Sequence, residues 1–141
     1  MAGAIERFGS GGPFERRFGY SRAVRAGGLV FVAGTTAIDE DGVVHGIGDA
    51  GAQTAFVLER IEAALALAGA SMDQVVQTRM FVTDMSRAEE IGRAHGERFA
   101  DHPPVSAMVA VAALIDPRML VEIEAVAYVG PSGSEPTLRR S

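Results

Sequence analysis

The chain contains no cysteine and no tryptophan. Without thiols it can form no disulfide, thiolate nucleophile, iron–sulfur cluster or cysteine-ligated zinc site. It also lacks any run of about 18 apolar residues, so no segment reads as a transmembrane helix. The opening MAGAIERFGSGGPFERRFGY has no basic stretch leading into a long apolar one. It does not read as a secretory signal, and a cytoplasmic location is the expectation. Positive charge is in deficit, with 13 Lys+Arg against 18 Asp+Glu and a formal net charge of −5. That balance gives no pull toward nucleic acid or an anionic membrane, so neither is an expected partner. Phosphate-binding glycine loops, nucleophile elbows, zinc-helix patterns and calcium loops are missing as well. His45, His95 and His102 have no metal-ligand spacing, and each reads as a surface residue. No metal is expected.

What remains is 141 residues, 48% of them apolar. That is one domain with enough chain to bury a core unaided. Glycine-rich residues 9–13 read as a loop within a flexible N-terminal segment, 1–17. Residues 130–141 have no apolar period and read as a mobile tail.

Between the ends the pattern alternates. Residues 21–25 read as a short strand, Gly27-Gly28 as a turn, and 29–33 as a buried strand. Asp39-Glu40-Asp41-Gly42 has turn chemistry, with Val43-Val44 starting a return strand. Residues 50–68 carry Val57, Ile61, Ala64 and Ala68 at helical spacing. Asp49 suits the N-cap and Gly69 the stop. Residues 75–83 form a strand, 87–100 a helix capped by Asp84 or Ser86, and 106–112 and 120–129 two further strands. This order predicts an α+β domain: one mixed sheet with two helices on one face.

The bare face of that sheet points to function. On the last strand Val121, Ile123, Ala125 and Ala127 share one face, and Glu122, Glu124, Val126 and Tyr128 the other. A half-apolar face without helices calls for cover by another subunit, hence a symmetric homo-oligomer. Glu122 stands out as a carboxylate among apolar neighbours. It either activates a water or forms an inter-subunit ion pair, and Glu124 shares that choice. Arg79 is an arginine in mid-strand. It either clamps a substrate carboxylate or forms a structural ion pair. Tyr20 either hydrogen-bonds a ligand or packs.

Several segments together resemble the RidA/YjgF family, also known as endoribonuclease L-PSP. They are GYSRAVRAGGLVFVAGTT, Gln53 at the head of the long helix, VVQTRMFVTDM, FADHPPVSAMVAVAAL and VEIEAVA. The match covers about 18–129, taken as the RidA-like domain. The resemblance implies a chorismate-mutase-like fold with a six-stranded sheet, and a homotrimer with a cleft at each subunit interface. It also implies cofactor-free hydrolysis of an imine or enamine to a carbonyl compound and ammonia. Carried over by position, Tyr20 and Glu122 fall on the family's catalytic tyrosine and water-associated glutamate. Ala33-Gly34 stands for the family's Ser-Gly pair. The Pro-Ala-Arg-Ser motif reads Pro104-Val105-Ser106-Ala107, with Met108 following, so Ser106 occupies the place of the carboxylate-binding arginine. Ser106, Ala33, Gly34, Arg79 and Met108 are the expected substrate-binding residues. The expected partner is a small metabolite, with chemistry altered from 2-imino acid deamination. A non-catalytic ligand-binding or protein-interaction module is the alternative, and an endoribonuclease the third reading.

Overall fold

The computed structural model describes residues 4–131. Six strands form one sheet: β1 (Ile5–Phe8), β2 (Ala23–Ala26), β3 (Leu29–Thr35), β4 (Val75–Val82), β5 (Val105–Ala110) and β6 (Val121–Tyr128). Their spatial order is β1-β2-β3-β6-β4-β5. All neighbours pair antiparallel except β4 and β5, which are parallel. A parallel pair needs a crossover, and here it is helix α3 (Ala88–Arg98). Helix α2 (Ala50–Leu67) packs beside it, on β3 and β6. The expected α+β domain, with one mixed sheet and two long helices on one face, is therefore what forms.

The core lies between helices and sheet. Val57, Leu58, Ile61 and Leu65 of α2 are fully buried. Val30 and Val32 of β3 meet them, with Val121, Ile123, Ala125 and Ala127 of β6. The alternation on β6 is as the sequence predicts: these four are buried and the intervening side chains are not. The Asp49 side chain accepts a hydrogen bond from the Ala52 N–H at 2.9 Å, which satisfies one free donor at the start of α2. Gln53 is wholly buried. Its Nε2 donates to the Arg118 carbonyl at 2.9 Å and its Oε1 accepts from the Leu120 N–H at 2.8 Å. The first turn of α2 thereby sets where β6 begins, and with it the placing of Glu122.

The N-terminal end of the chain differs from expectation. Residues 1–17, read as a flexible lead-in, contribute β1 and the start of a one-turn helix, α1 (Glu15–Phe18). The tail reading for 130–141 falls almost entirely outside the described residues. Val43-Val44 does not begin a return strand; a single bridge joins Ile38 to Val44. The sixth strand is β1 instead, paired to β2 through residues that are exposed except for Phe8, which packs at the edge of the core. The strand expected at 21–25 is shifted to Ala23–Ala26. Asp84 caps a 3-10 turn, Met85–Arg87, that leads into α3. His95 is not on the surface: it lies in line with Ile91 and Phe99 on the buried stripe of α3.

Candidate functional site

Glu122 lies at the start of β6 on the face away from the helices, opposite Phe81 of β4. On its other side β3 is irregular between Val32 and Thr35. Gly34 sits in that irregularity, and the Glu122 carboxylate lies over it. A Cβ added at Gly34 would overlap Glu122 Oε2 and stand 3.0 Å from its Cδ. Glycine is therefore needed here for clearance, not for a positive φ. Because the obstructed atoms are the end of a flexible side chain, Gly34→Ala should fold normally while displacing the carboxylate. The expected outcome is a displaced Glu122 side chain with an unchanged melting temperature, checked by crystallography beside calorimetry.

Glu122 is one wall of an open cavity of about 330 Å³. Ala33, Gly34 and Thr36 of the β3 end form the floor, and Tyr20, Phe14, Phe18 and Ile115 the apolar rim. Phe14 and Phe18 stack with ring centroids 5.9 Å apart. Arg17 lies over the Phe18 ring at 4.9 Å. Phe14, Phe18, Thr36 and Ile115 line the cavity without being among the residues expected from the sequence. The signal for the first two was visible: a pair spaced i, i+4 on one helix face just before Gly19. Gly19 takes φ 75° and ends α1, turning the chain so that Tyr20 enters the cavity wall.

A buried ion pair supports this wall. Arg22 Nε donates to Glu15 Oε2 at 3.2 Å, and both side chains are almost fully buried. Arg22 Nη1 donates to Thr35 Oγ1 at 2.8 Å and to the Gly34 carbonyl at 3.3 Å. Arg22 thus ties α1, which carries the rim aromatics, to the floor beneath Glu122. Burial alone would push Glu15 up. Hydrogen bonds from the Ser10 side chain and backbone and from Arg22, with the Arg22 charge, outweigh it and hold Glu15 below its ordinary value.

Glu122 is shifted the other way. Burial and the neighbouring Glu124 charge raise its pKa, against a smaller opposing effect of Arg22. A carboxyl whose pKa is raised in an apolar-rimmed cavity is suited to taking up a proton. Glu124 is engaged elsewhere. Its Oε1 accepts from Arg79 Nη2 at 2.7 Å and from Nε at 2.9 Å. Of the two readings of Arg79, the cross-strand ion pair is the one that forms within this chain.

The other expected site residues do not join the cavity. Ser106 and Met108 lie on β5, two strands beyond β6. Ser106 registers with Thr78 and Met108 with Met80, residues of the helix-side face. Ser106 and Glu122 therefore stand on opposite faces of one sheet. Within a single chain they cannot contact the same ligand. Among the described residues no group of three or more His, Asp or Glu is placed to hold a metal ion, and no helix is long and apolar enough to cross a membrane.

Comparison with known proteins places this geometry in a group. The family model described as endoribonuclease L-PSP matches residues 14–129. A Streptomyces coelicolor protein described as uncharacterized is 39% identical over 127 residues, covering 90% of this chain and 94% of its own length. The crystal structure of Rv2704 from Mycobacterium tuberculosis, a member of the YjgF/YER057c/UK114 family, superposes with a TM-score of 0.80. It is 50% identical, with 89% of this chain and 100% of that one covered. A Yersinia pestis protein of the conserved Rid family, YyfA, superposes with the same score at 29% identity, covering 89% and 100%. With nearly the whole domain matched and the six-stranded sheet shared, the chain belongs to the endoribonuclease L-PSP family, the YjgF/Rid group.

Proposed function

We propose that this chain assembles as a homotrimer, binds a small metabolite in clefts between subunits, and hydrolyses an imine or enamine there without a cofactor. One observation carries the reading: a carboxylate raised by burial, seated over Gly34 in an aromatic-rimmed cavity on the sheet face that, among the described residues, neither long helix covers. That face also exposes Leu29, Phe31, Val76 and Tyr128. An apolar surface of this kind calls for a partner, and a second copy would also bring Ser106 and Met108 of its β5 to the cavity.

The chemistry assigned to the residues is simple. Glu122 accepts a proton from a water as its oxygen bonds to the C=N carbon, and passes that same proton to the nitrogen, giving a neutral carbinolamine. Glu122 then takes the hydroxyl proton of the carbinolamine and delivers it to the nitrogen as the C–N bond breaks, releasing ammonia and the carbonyl compound. Tyr20 donates a hydrogen bond at the rim, and Ala33 and Gly34 shape the floor. Ser106 in place of a guanidinium directs the site away from typical 2-imino acids. An ion-paired hydrogen bond is worth about 1.5–3 kcal/mol, and a neutral hydroxyl does not supply it. A chain with net charge −5 also offers little to an RNA backbone, which ranks ribonuclease action last.

The test is an assay that forms imines enzymatically in place, from an amino acid and from the corresponding amino amide, and follows their decay. Accelerated loss of the neutral imine, with a trimer by light scattering, supports the reading. No acceleration of either, from a protein that still binds an analogue of the product, reduces the site to a binding module.

A further inference from the structure

A second polar assembly lies on the other side of the sheet and ends at Ser106. His95 of α3 interrupts an otherwise apolar stripe and is nine-tenths buried. Its Nε2 lies 2.8 Å from Thr78 Oγ1, and Thr78 is fully buried on β4. The same Thr78 oxygen lies 2.8 Å from Ser106 Oγ on the edge strand β5. His95, Thr78 and Ser106 therefore form one continuous chain of hydrogen bonds from the core to an exposed hydroxyl. The mechanism above uses neither Thr78 nor His95. A buried polar chain of this kind costs stability unless every link is made, so it holds its members in fixed positions.

We infer that the Ser106 hydroxyl is a ligand subsite for an uncharged hydrogen-bonding group, such as a carboxamide, and that Thr78 and His95 are the positioning residues that aim it. The count of hydrogens carries the argument. Thr78 has one hydroxyl hydrogen, so it can donate to only one of its two partners and must accept from the other. If His95 Nε2 is bare, hydrogens run from Ser106 to Thr78 to His95, and Ser106 turns lone pairs outward. If Nε2 carries the hydrogen, the direction reverses and Ser106 turns its O–H outward. Both arrangements are neutral, and burial lowers the His95 pKa, which keeps the ring uncharged. The subsite therefore meets a donor or an acceptor, but brings no charge to a carboxylate. Nor do the two structural arginines supply one: Arg22 is committed to Glu15 and Arg79 to Glu124.

The inference rests on the reading that Ser106 of one subunit faces the Glu122 cavity of its neighbour. The experiment separates the two. Pyruvamide and pyruvate, nearly isosteric and differing in charge, are titrated by calorimetry into the wild-type protein and into Thr78→Val and Thr78→Ser. The His95 Nε2 signal is followed by ¹⁵N NMR. The wild type should favour pyruvamide, and pyruvamide should move the His95 signal although the ring does not touch the ligand. Thr78→Val keeps the shape but cuts the chain. It should lose roughly three- to tenfold of pyruvamide affinity, the span of one neutral hydrogen bond, and silence the response at His95. Thr78→Ser should restore both. Preference for pyruvate in the wild type overturns the uncharged subsite. Pyruvamide binding that perturbs Glu122 but leaves His95 still and Thr78→Val unchanged overturns the relay and spares the cleft. Failure of both probes to bind at millimolar concentration overturns both.

Discussion

Arg22→Ala should lower stability by about 3–5 kcal/mol at neutral pH, the cost of leaving one partner of a buried ion pair alone. The side chain it abandons, Glu15, is as buried as Arg22 itself. Removing the guanidinium also unties Thr35 and Gly34 from the wall. The pH dependence identifies the cause. In the native protein Glu15 is held below its ordinary value of 4.5, so its contribution is complete above 4.5 and is lost as pH falls through the folded value. Without Arg22, only the Ser10 hydrogen bonds remain to oppose burial, so the Glu15 pKa rises from its native position. The deficit of the variant should therefore be largest at neutral pH and shrink in acid, where Glu15 is protonated in both folded and unfolded chains. Adding Glu15→Gln to Arg22→Ala should recover part of the loss. Denaturant titrations of the single and double variants at two pH values check this. A uniform deficit at both pH values would assign the loss to packing rather than charge.

Glu122→Gln should abolish most turnover while making the fold more stable. Removing a general acid–base group costs about 10²–10⁴-fold in rate. Stability moves the opposite way because the Glu122 pKa is raised, so the folded chain binds this proton more tightly than the unfolded one. Below the unfolded value near 4.5 both states are protonated and the group contributes nothing. Between that value and the folded one, rising pH erodes stability, and above the folded value the full cost is in place. Glutamine lacks this cost, so the melting temperature of the variant should match wild type in acid and exceed it at neutral pH. Loss of rate together with gain of stability is the signature of a strained functional group. A variant both slower and less stable would make Glu122 a structural residue.

The parts of the fold legible in the sequence were those where side-chain pattern and burial coincide. The stripe on α2 with Asp49 at its cap, and the alternation on β6, are of this kind. β1 was not legible because its four residues are largely exposed and join the sheet through backbone bonds, which leave no trace in side-chain type. His95 was misread because a histidine on an apolar stripe is indistinguishable from a surface one until Thr78, 17 positions earlier, is known to face it. Half of the site was legible in the same limited sense. Tyr20, Ala33, Gly34 and Glu122 do converge, carried by a resemblance spanning several segments. Arg79 offered two readings, and only the register with Glu124 separates them. Phe14 lies in the glycine-bearing segment 1–17 and Phe18 at the first residue of the matched span, so only their i, i+4 spacing pairs them across that boundary.

Ser106 and Glu122 project from opposite sides of the same sheet, and this has a genetic consequence. If each reaction centre borrows half its groups from the next polypeptide, two differently crippled chains can repair one another. Chains bearing Glu122→Gln, refolded together with equal amounts of chains blocked by Ser106→Trp, should regain activity at about a quarter of their shared centres. Neither parent alone would show it. Such trans-complementation would also tie the working unit to concentration, since dilution below the assembly threshold would dismantle every centre at once.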